Sequence, residues 1–516
     1  MKRIVPLILI LFLMNCSNSQ MLKTKDLAIK IKNKDKLNTF QEDFVYLTKV
    51  LKDSHPNIYK NFSKNIFENK KENVLNKLET VTDETAFQII LQNFVANIED
   101  AHTCIKINSL FNSEKNYPLK FHWIKDKLFI VDLDKKLPDK WIGAQVINFE
   151  KYSLKETVGK CGSIIAAENN IWKQQKLRSY LRNPVFMKLM KITKTIDSLN
   201  LTIMKDELKL KITLNAQDNI KWKNPRKKHK ITAKKDKNHY YKILPEERIC
   251  YYQFNEFIDS HIAKYYIKHN LKWYLKPFAL LFASTKYTDY PAFLDKMFSE
   301  IREKEVEKII IDLRNNGGGA SLLGDLLMYY CSIPDTIQGY QGGAVKISEL
   351  YRQTYRNDFE YRKRNFLKNN PEKEFKIPRL IRYEKEKRHK DYSYFDNIKK
   401  HFDLTGIENR FKGEIILLIG PKTFSSASMF ATVLSDNKQA ILIGEPIGQK
   451  PTSFGDILRF KLPRTHTDVC VSHKLFQRPD STEDDEKSLC PDIVVYPAIE
   501  DYLDGEDPVF EKAKDY

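Results

Sequence analysis

The segment PKTFSSASMFATVLSD, residues 421–436, sets Thr423, Ser425 and Ser426 between the apolar run GEIILLIG and a helical pattern. A serine at a strand-to-helix turn has two uses. It caps the helix, because Ser and Thr oxygens accept the orphan N–H groups of the first turn. Alternatively it presents its hydroxyl for attack at the positive end of the helix dipole, with backbone N–H groups close by. The second use needs a base and an oxyanion site. For the oxyanion site the sequence offers IIIDLRNNGGG, residues 309–319, an apolar strand that runs into Gly317, Gly318 and Gly319. Glycines let the backbone approach a ligand and aim N–H groups at it. No Lys-Ser/Thr follows them, which argues against a nucleotide-binding loop. For the base there are two candidates. Lys450, in GEPIGQK, lies 25 residues after Ser425. A strand–helix–strand return brings its loop beside the N-terminal end of the serine helix, where desolvation lowers a lysine pKa. His102, in EDAHT, is the other, although such a histidine by itself serves equally well as a cap or surface residue.

These residues need a scaffold. The segments around 309–319 and 413–444 alternate buried-type strands with helical patterns, which predicts an α/β domain with a largely buried sheet. Upstream, LNTFQEDFVYLTKVLKDSHPNIY and TAFQIILQNFVANIEDAHT carry apolar residues at helical spacing, so residues 36–110 form an N-terminal helical segment. Residues 117–215 switch to period-2 alternation, as in YPLKFHWIKDKLFIVDLD, and predict a compact β domain. A basic linker or hairpin is expected at 216–242. The core is expected at 245–505, with 340–405 as a charged helical excursion flanking the sheet.

The net charge is +20, but the excess is spread over many Lys-rich segments. The densest stretch, residues 221–242, has no nucleic-acid fold around it and is expected to be solvated. A basic adhesin or nucleic-acid binder is therefore the weakest reading; it predicts binding that falls steeply with salt. The N-terminus MKRIVPLILILFLMNC has a basic start, an apolar stretch too short to span a bilayer, and Cys16. This is similar to a bacterial lipoprotein signal, with Cys16 as the lipidated residue and 1–20 as signal and start of a tether. The alternative, since Asn15 is larger than usual before the Cys, is an ordinary secretory signal cleaved nearby. The lipoprotein reading implies export and a lipid anchor in a cell envelope. The six other cysteines are scattered with no C-x-x-C pair, so a zinc site is not supported.

Taken jointly, EDAHT, WIGAQVINFEKYSL, IIIDLRNNGGG, TFSSASMFA, ILIGEPIGQKPTSFGD, FKLPRT and CPDIVVYPAIEDYLDGEDPVFEKA resemble, in order and spacing, the tail-specific or C-terminal processing serine peptidases, closest to the tricorn-core-like branch. The resemblance implies a crotonase-like α/β core, a PDZ-like domain at 117–215 and cleavage of peptides or unfolded proteins without a cofactor. It implies Ser425 as nucleophile and Gly317 or Gly318 with the Ser426 N–H as oxyanion hole. One branch places the base at Lys450, the tricorn-like branch at His102. A supporting acid falls at Glu486 or Glu483. Three positions depart from the family pattern: Ala101 where Gly is frequent, Ser428 where Glu is frequent, and Ile447-Gly448-Gln449 where Thr-Gly-Gly is usual. They leave room for a non-catalytic peptide-binding lipoprotein on the same fold.

Overall fold

The computed structural model describes residue 27 and residues 34–107, 115–232, 237–271, 273–340, 342–383, 393–407, 410–483 and 488–516. The leader, Cys16 and Glu486 lie outside them. Among the described residues no helix is long and apolar enough to cross a membrane.

Three sheets form a mixed α/β fold. The first has the order Ile493–Val494, Ile441–Gly444, Glu414–Ile419, Lys308–Asp312, Ile249–Phe254, His239–Leu244. Its first five strands are parallel, and the last pairs antiparallel. The EIILLI and KIIID runs are buried on both faces, as parallel strands require. Helices Tyr290–Glu303, Leu322–Tyr330 and Ser426–Asp436 cover one face. The C-terminal helix Pro508–Asp515 covers the other through Val509 and Phe510.

The second sheet is antiparallel and joins distant parts of the chain: Cys104–Ile105, Asp468–Phe476, Gly343–Ile347 and Arg379–Tyr383, with Ser453–Lys461 also on Asp468–Phe476. The expected excursion at 340–405 thus supplies two strands of this sheet, with helices Glu349–Thr354 and Arg356–Asn369 between them. Its charged helices mask two short strands: GAVKI, buried against residues 474–476, and RLIRY, half-buried at the sheet's edge.

The third sheet, also antiparallel, contains Leu119–Ile124, Lys127–Leu133, Gln145–Phe149, Ser198–Lys205 and Leu208–Asn215. The period-2 alternation appears directly in the burial of LKFHWI, alternately buried and half-exposed. Helix Asn170–Tyr180 lies between its strands in sequence. The basic segment after it is not a free linker. Lys223 N–H donates to Leu133, Lys227 N–H donates to Leu503, and Thr232 Oγ1 donates to Asp507. His239–Leu244 is the edge strand of the first sheet. Backbone hydrogen bonds, to which a charge count is blind, hold this strap down.

The N-terminal helices Thr39–Ser54 and Glu84–Ala96 share one apolar core with the second and third sheets. Asn38 starts the first with a capping box, and Asp83 caps the second. Phe40 stacks on Phe87 at 4.3 Å, and Phe44 meets Phe94 edge-on at 5.0 Å. This packing fixes the segment that ends in Asp100 and His102.

Candidate active site

Ser425 stands at the N-cap of helix Ser426–Asp436, yet its side chain makes no capping bond. Its backbone has φ 54° and ψ −126°, a conformation L-residues avoid, at a strain of about 1–3 kcal/mol. The turn is held by its neighbours. Thr423 Oγ1 donates to the Leu313 carbonyl at 2.9 Å, and Phe424 N–H donates to the Asn316 carbonyl at 3.0 Å. Ser426 Oγ donates to the Gly319 carbonyl at 2.7 Å. The Ser425 N–H donates to Gln449 Oε1, and Gln449 Nε2 donates to Ser453 Oγ at 2.8 Å. The serine turn and the glycine loop are thereby sewn together.

Gly318 shows why glycine is required there. A Cβ on it, at φ 96°, would sit 2.6 Å from Ser425 Cβ and 2.8 Å from Ser426 N. At Gly317 a Cβ would meet open space. The Gly318 N–H donates to Asn316 Oδ1 at 2.8 Å. Of the three residues expected at the oxyanion hole, Gly318 thus has its N–H engaged by Asn316.

His102 Nε2 lies 3.2 Å from Ser425 Oγ. The second sheet delivers it, because Cys104 begins the edge strand two residues later and Ser472 N–H donates to Thr103 Oγ1. The imidazole stacks on Phe424 at 4.8 Å, and Phe424 stacks on Trp172 at 4.1 Å. Trp172 comes from helix Asn170–Tyr180, whose N-cap Asn169 donates through Nδ2 to the Ile447 carbonyl and to Ser488 Oγ. Burial lowers the His102 pKa, against the opposing pull of Asp100 and Asp456. The ring is thus neutral at neutral pH, as a base must be.

Asp100 is fully buried behind the histidine. Its carboxylate accepts from the His102 N–H at 2.9 Å, faces His55 Nε2 at 3.3 Å, takes the Thr103 hydroxyl, and lies 3.8 Å from His102 Nδ1. Burial alone would raise its pKa; the His55 hydrogen bond and the charges of His55 and His102 outweigh burial and hold it down at about 2. Glu168 goes the other way. Burial, then the Asp100 charge, push it up to about 8, although Lys450 opposes them. A ring nitrogen of His102 and one carboxylate oxygen each of Asp100 and Glu168 lie within 4.8 Å of one another. His102 Nδ1 and Glu168 Oε2 are both buried without a hydrogen-bond partner. Two carboxyls beside one imidazole, one ionised and one protonated, make an acid–base site.

Ser425 Oγ and His102 are therefore brought together. Lys450 is close enough for its charge to act on Glu168, while the hydrogen-bond partner of Ser425 Oγ is His102. Glu483 is exposed, and its charge acts on Arg478 rather than on His102. Glu168, Asp100, Gln449 and Trp172 were not among the expected site residues. Asp100 was visible in EDAHT as an acid beside a histidine. Glu168, in AAENN, carries no local pattern and is found only through the fold.

Below the serine helix is a cavity of about 230 Å³ lined by Ser321, Met328, Ser426, Met429, Phe430 and Val433 among others. Elsewhere the glycine loop is tied to the C-terminus. Arg314 holds Asp312 and Asp507 in a double fork, with N–O distances of 2.7–3.0 Å.

Residues 281–495 match the model of peptidase family S41. No curated protein matches the sequence. Among solved structures, mature CPAF aligns at TM-score 0.58 and 13% identity, covering 92% of this chain and 96% of that one. CPAF complexed with lactacystin aligns at TM-score 0.57 and 14% identity, covering 92% and 97%. A putative S41 protease from Bacteroides fragilis NCTC 9343 aligns at TM-score 0.39 and 11% identity, covering 95% and 98%.

Proposed function

The chain belongs to the tail-specific serine peptidase family, a serine-type hydrolase class, and from that premise we propose that it cleaves exported peptides or protein C-termini with Ser425 as nucleophile and His102 as base. The observation that carries this is the 3.2 Å approach of His102 Nε2 to a serine hydroxyl held in a strained turn and withheld from capping. His102 takes the Ser425 proton as Oγ attacks the scissile carbonyl. The oxyanion forms beside the Gly317 and Ser426 N–H groups, where one donor is worth about 10²–10³ in rate. Protonated His102 then gives its proton to the leaving amine, and water repeats the sequence to free the acyl group.

Asp100 supports the imidazolium through its buried negative charge. Glu168, a positioning residue on this reading, sets its protonated carboxyl beside the same imidazole. Lys450 sets the field around Glu168 and does not take the proton. The cavity lined by Met328, Phe430 and Val433 on one side and by Asp325, Tyr340 and Tyr394 on the other gives room for a substrate side chain beside Ser426. The first and third sheets fit a crotonase-like core and a PDZ-like domain, and the leader fits a lipid-anchored envelope protein.

The test is cleavage of casein by the chain from residue 21 onward, beside Ser425→Ala. Cleavage abolished by the substitution is the expected result. An inert wild type that still binds peptides would overturn the proposal in favour of a non-catalytic peptide-binding lipoprotein.

A further inference from the structure

Exposed apolar side chains are ordinary when scattered, but contiguous ones mark a docking surface. Of the 14 large hydrophobic side chains exposed among the described residues, six fall within residues 265–281. They belong to a helical hairpin, Ser260–Asn270 and Lys276–Lys286, joined by the short turn Trp273–Leu275. The hairpin has its own small core of Ala263, Ile267, Leu271, Ala279, Ala283 and Tyr287, separate from the three larger ones. Its second helix buries alanines on one side, while Phe278 and Leu281 stand 68% and 70% exposed on the other. Trp273 at the tip is 81% exposed, and Tyr274 beside it 53%.

The charge carried by the hairpin itself is of one sign, while Glu256 lies near Lys286 and Asp289 pairs with His261 at its base. Between Asp259 and Asp289 the sequence has five lysines and no Asp or Glu. Lys276 Nζ reaches across to the Lys268 carbonyl near the tip, and Lys286 lies over the Phe282 and Tyr287 rings. A second copy docked tip to tip would bring lysines together with no carboxylate of the hairpin to meet them. An anionic lipid surface suits both features. Trp and Tyr settle at the headgroup level, Phe and Leu enter the acyl boundary, and lysines snorkel to lipid phosphates. We propose that the tip and outer face of this hairpin dock into the headgroup region of an anionic bilayer. The proposal rests neither on lipidation of Cys16 nor on the peptidase reading.

The experiment is co-sedimentation with vesicles of phosphatidylcholine alone or with added phosphatidylglycerol. It uses the chain from residue 21 onward, which retains every described residue. Three proteins are compared: wild type, Trp273→Ser/Phe278→Ser/Leu281→Ser, and Lys268→Gln/Lys286→Gln. Matching thermal midpoints show that the variants fold. Wild type is expected to bind the anionic vesicles, the apolar variant to bind at least about tenfold more weakly, and the lysine variant to lose about fivefold per lysine. Trp273 emission, isolated by difference from Trp273→Phe, is expected to shift to the blue. No vesicle binding by wild type at low salt overturns the proposal. So does equal binding by the apolar variant, which would assign the contact to basic segments elsewhere. Concentration-dependent self-association that the apolar variant loses, without lipid binding, would also overturn it and make the face a contact between copies.

Discussion

Glu168 makes the most quantitative test of the site. Its carboxyl keeps its proton to about 8 in the folded chain, against a starting value of 4.5. Burial is the main cause, and the Asp100 charge adds to it; Lys450 and the Ala101 N–H oppose them. In the unfolded chain the proton leaves near 4.5, so between that pH and 8 the folded state holds more protons than the unfolded one. Stability from this group therefore falls as pH rises through the window, by about 1.4 kcal/mol per pH step. Glu168→Gln keeps the shape and the acceptor for the Ala101 N–H but carries no titrating proton. Relative to wild type, the variant is expected to gain about 3 kcal/mol more at pH 8 than at pH 5, read from urea unfolding at the two pH values. Its turnover is expected to stay near the wild-type value below pH 8, because the amide N–H₂ stands where the protonated carboxyl presents its O–H to His102. Parallel loss of stability in the two proteins from pH 5 to 8 would refute the argument, since Glu168 would then not hold its proton.

Asp100→Asn removes a charge 3.8 Å from His102 Nδ1; at an effective dielectric near 20 that is worth about 4 kcal/mol, so kcat is expected to fall about 10³-fold in a peptide cleavage assay. Arg314→Met leaves Asp312 and Asp507 buried and unpaired, and chemical unfolding is expected to show a loss of about 3–5 kcal/mol. Cys104 and Cys470 face each other across two strands, and their thiols interact. In Cys490→Ser from residue 21 onward, which lacks the exposed thiol, oxidised glutathione is expected to link them and leave as two reduced glutathiones, with loss of two hydrogens by mass spectrometry and loss of two titratable thiols, while Cys161, Cys250 and Cys331 stay reduced inside the core.

The strands and helices that carry the chemistry were legible because their patterns are local. Apolar runs before Gly317 and Pro421 announced buried parallel strands, and the Ser-rich turn announced the helix after them. Whether Ser425 caps that helix was not legible, since the answer lies in a positive φ imposed by Asn316, Leu313 and Gln449 from other segments. The base was ambiguous for a similar reason. Loop order places Lys450 near the serine helix, but only the second sheet, which pairs Cys104 with Cys470, brings His102 within hydrogen-bond reach of Ser425. The 340–405 segment has the expected helices, but its charged composition hides the two five-residue strands it also adds to the second sheet. Glu168 had no sequence signal at all; burial and two neighbouring groups give it its character.

The most direct test of the account is the labelling of Ser425 by a fluorophosphonate in wild type, His102→Ala and Lys450→Ala, with the modified residue located by mass spectrometry. The account predicts rapid labelling of Ser425 in wild type and Lys450→Ala, and labelling slowed at least about 10²-fold in His102→Ala, as loss of a general base requires. Unimpaired labelling in His102→Ala with none in Lys450→Ala would contradict it, and would make the 3.2 Å contact a structural hydrogen bond beside a Ser–Lys site.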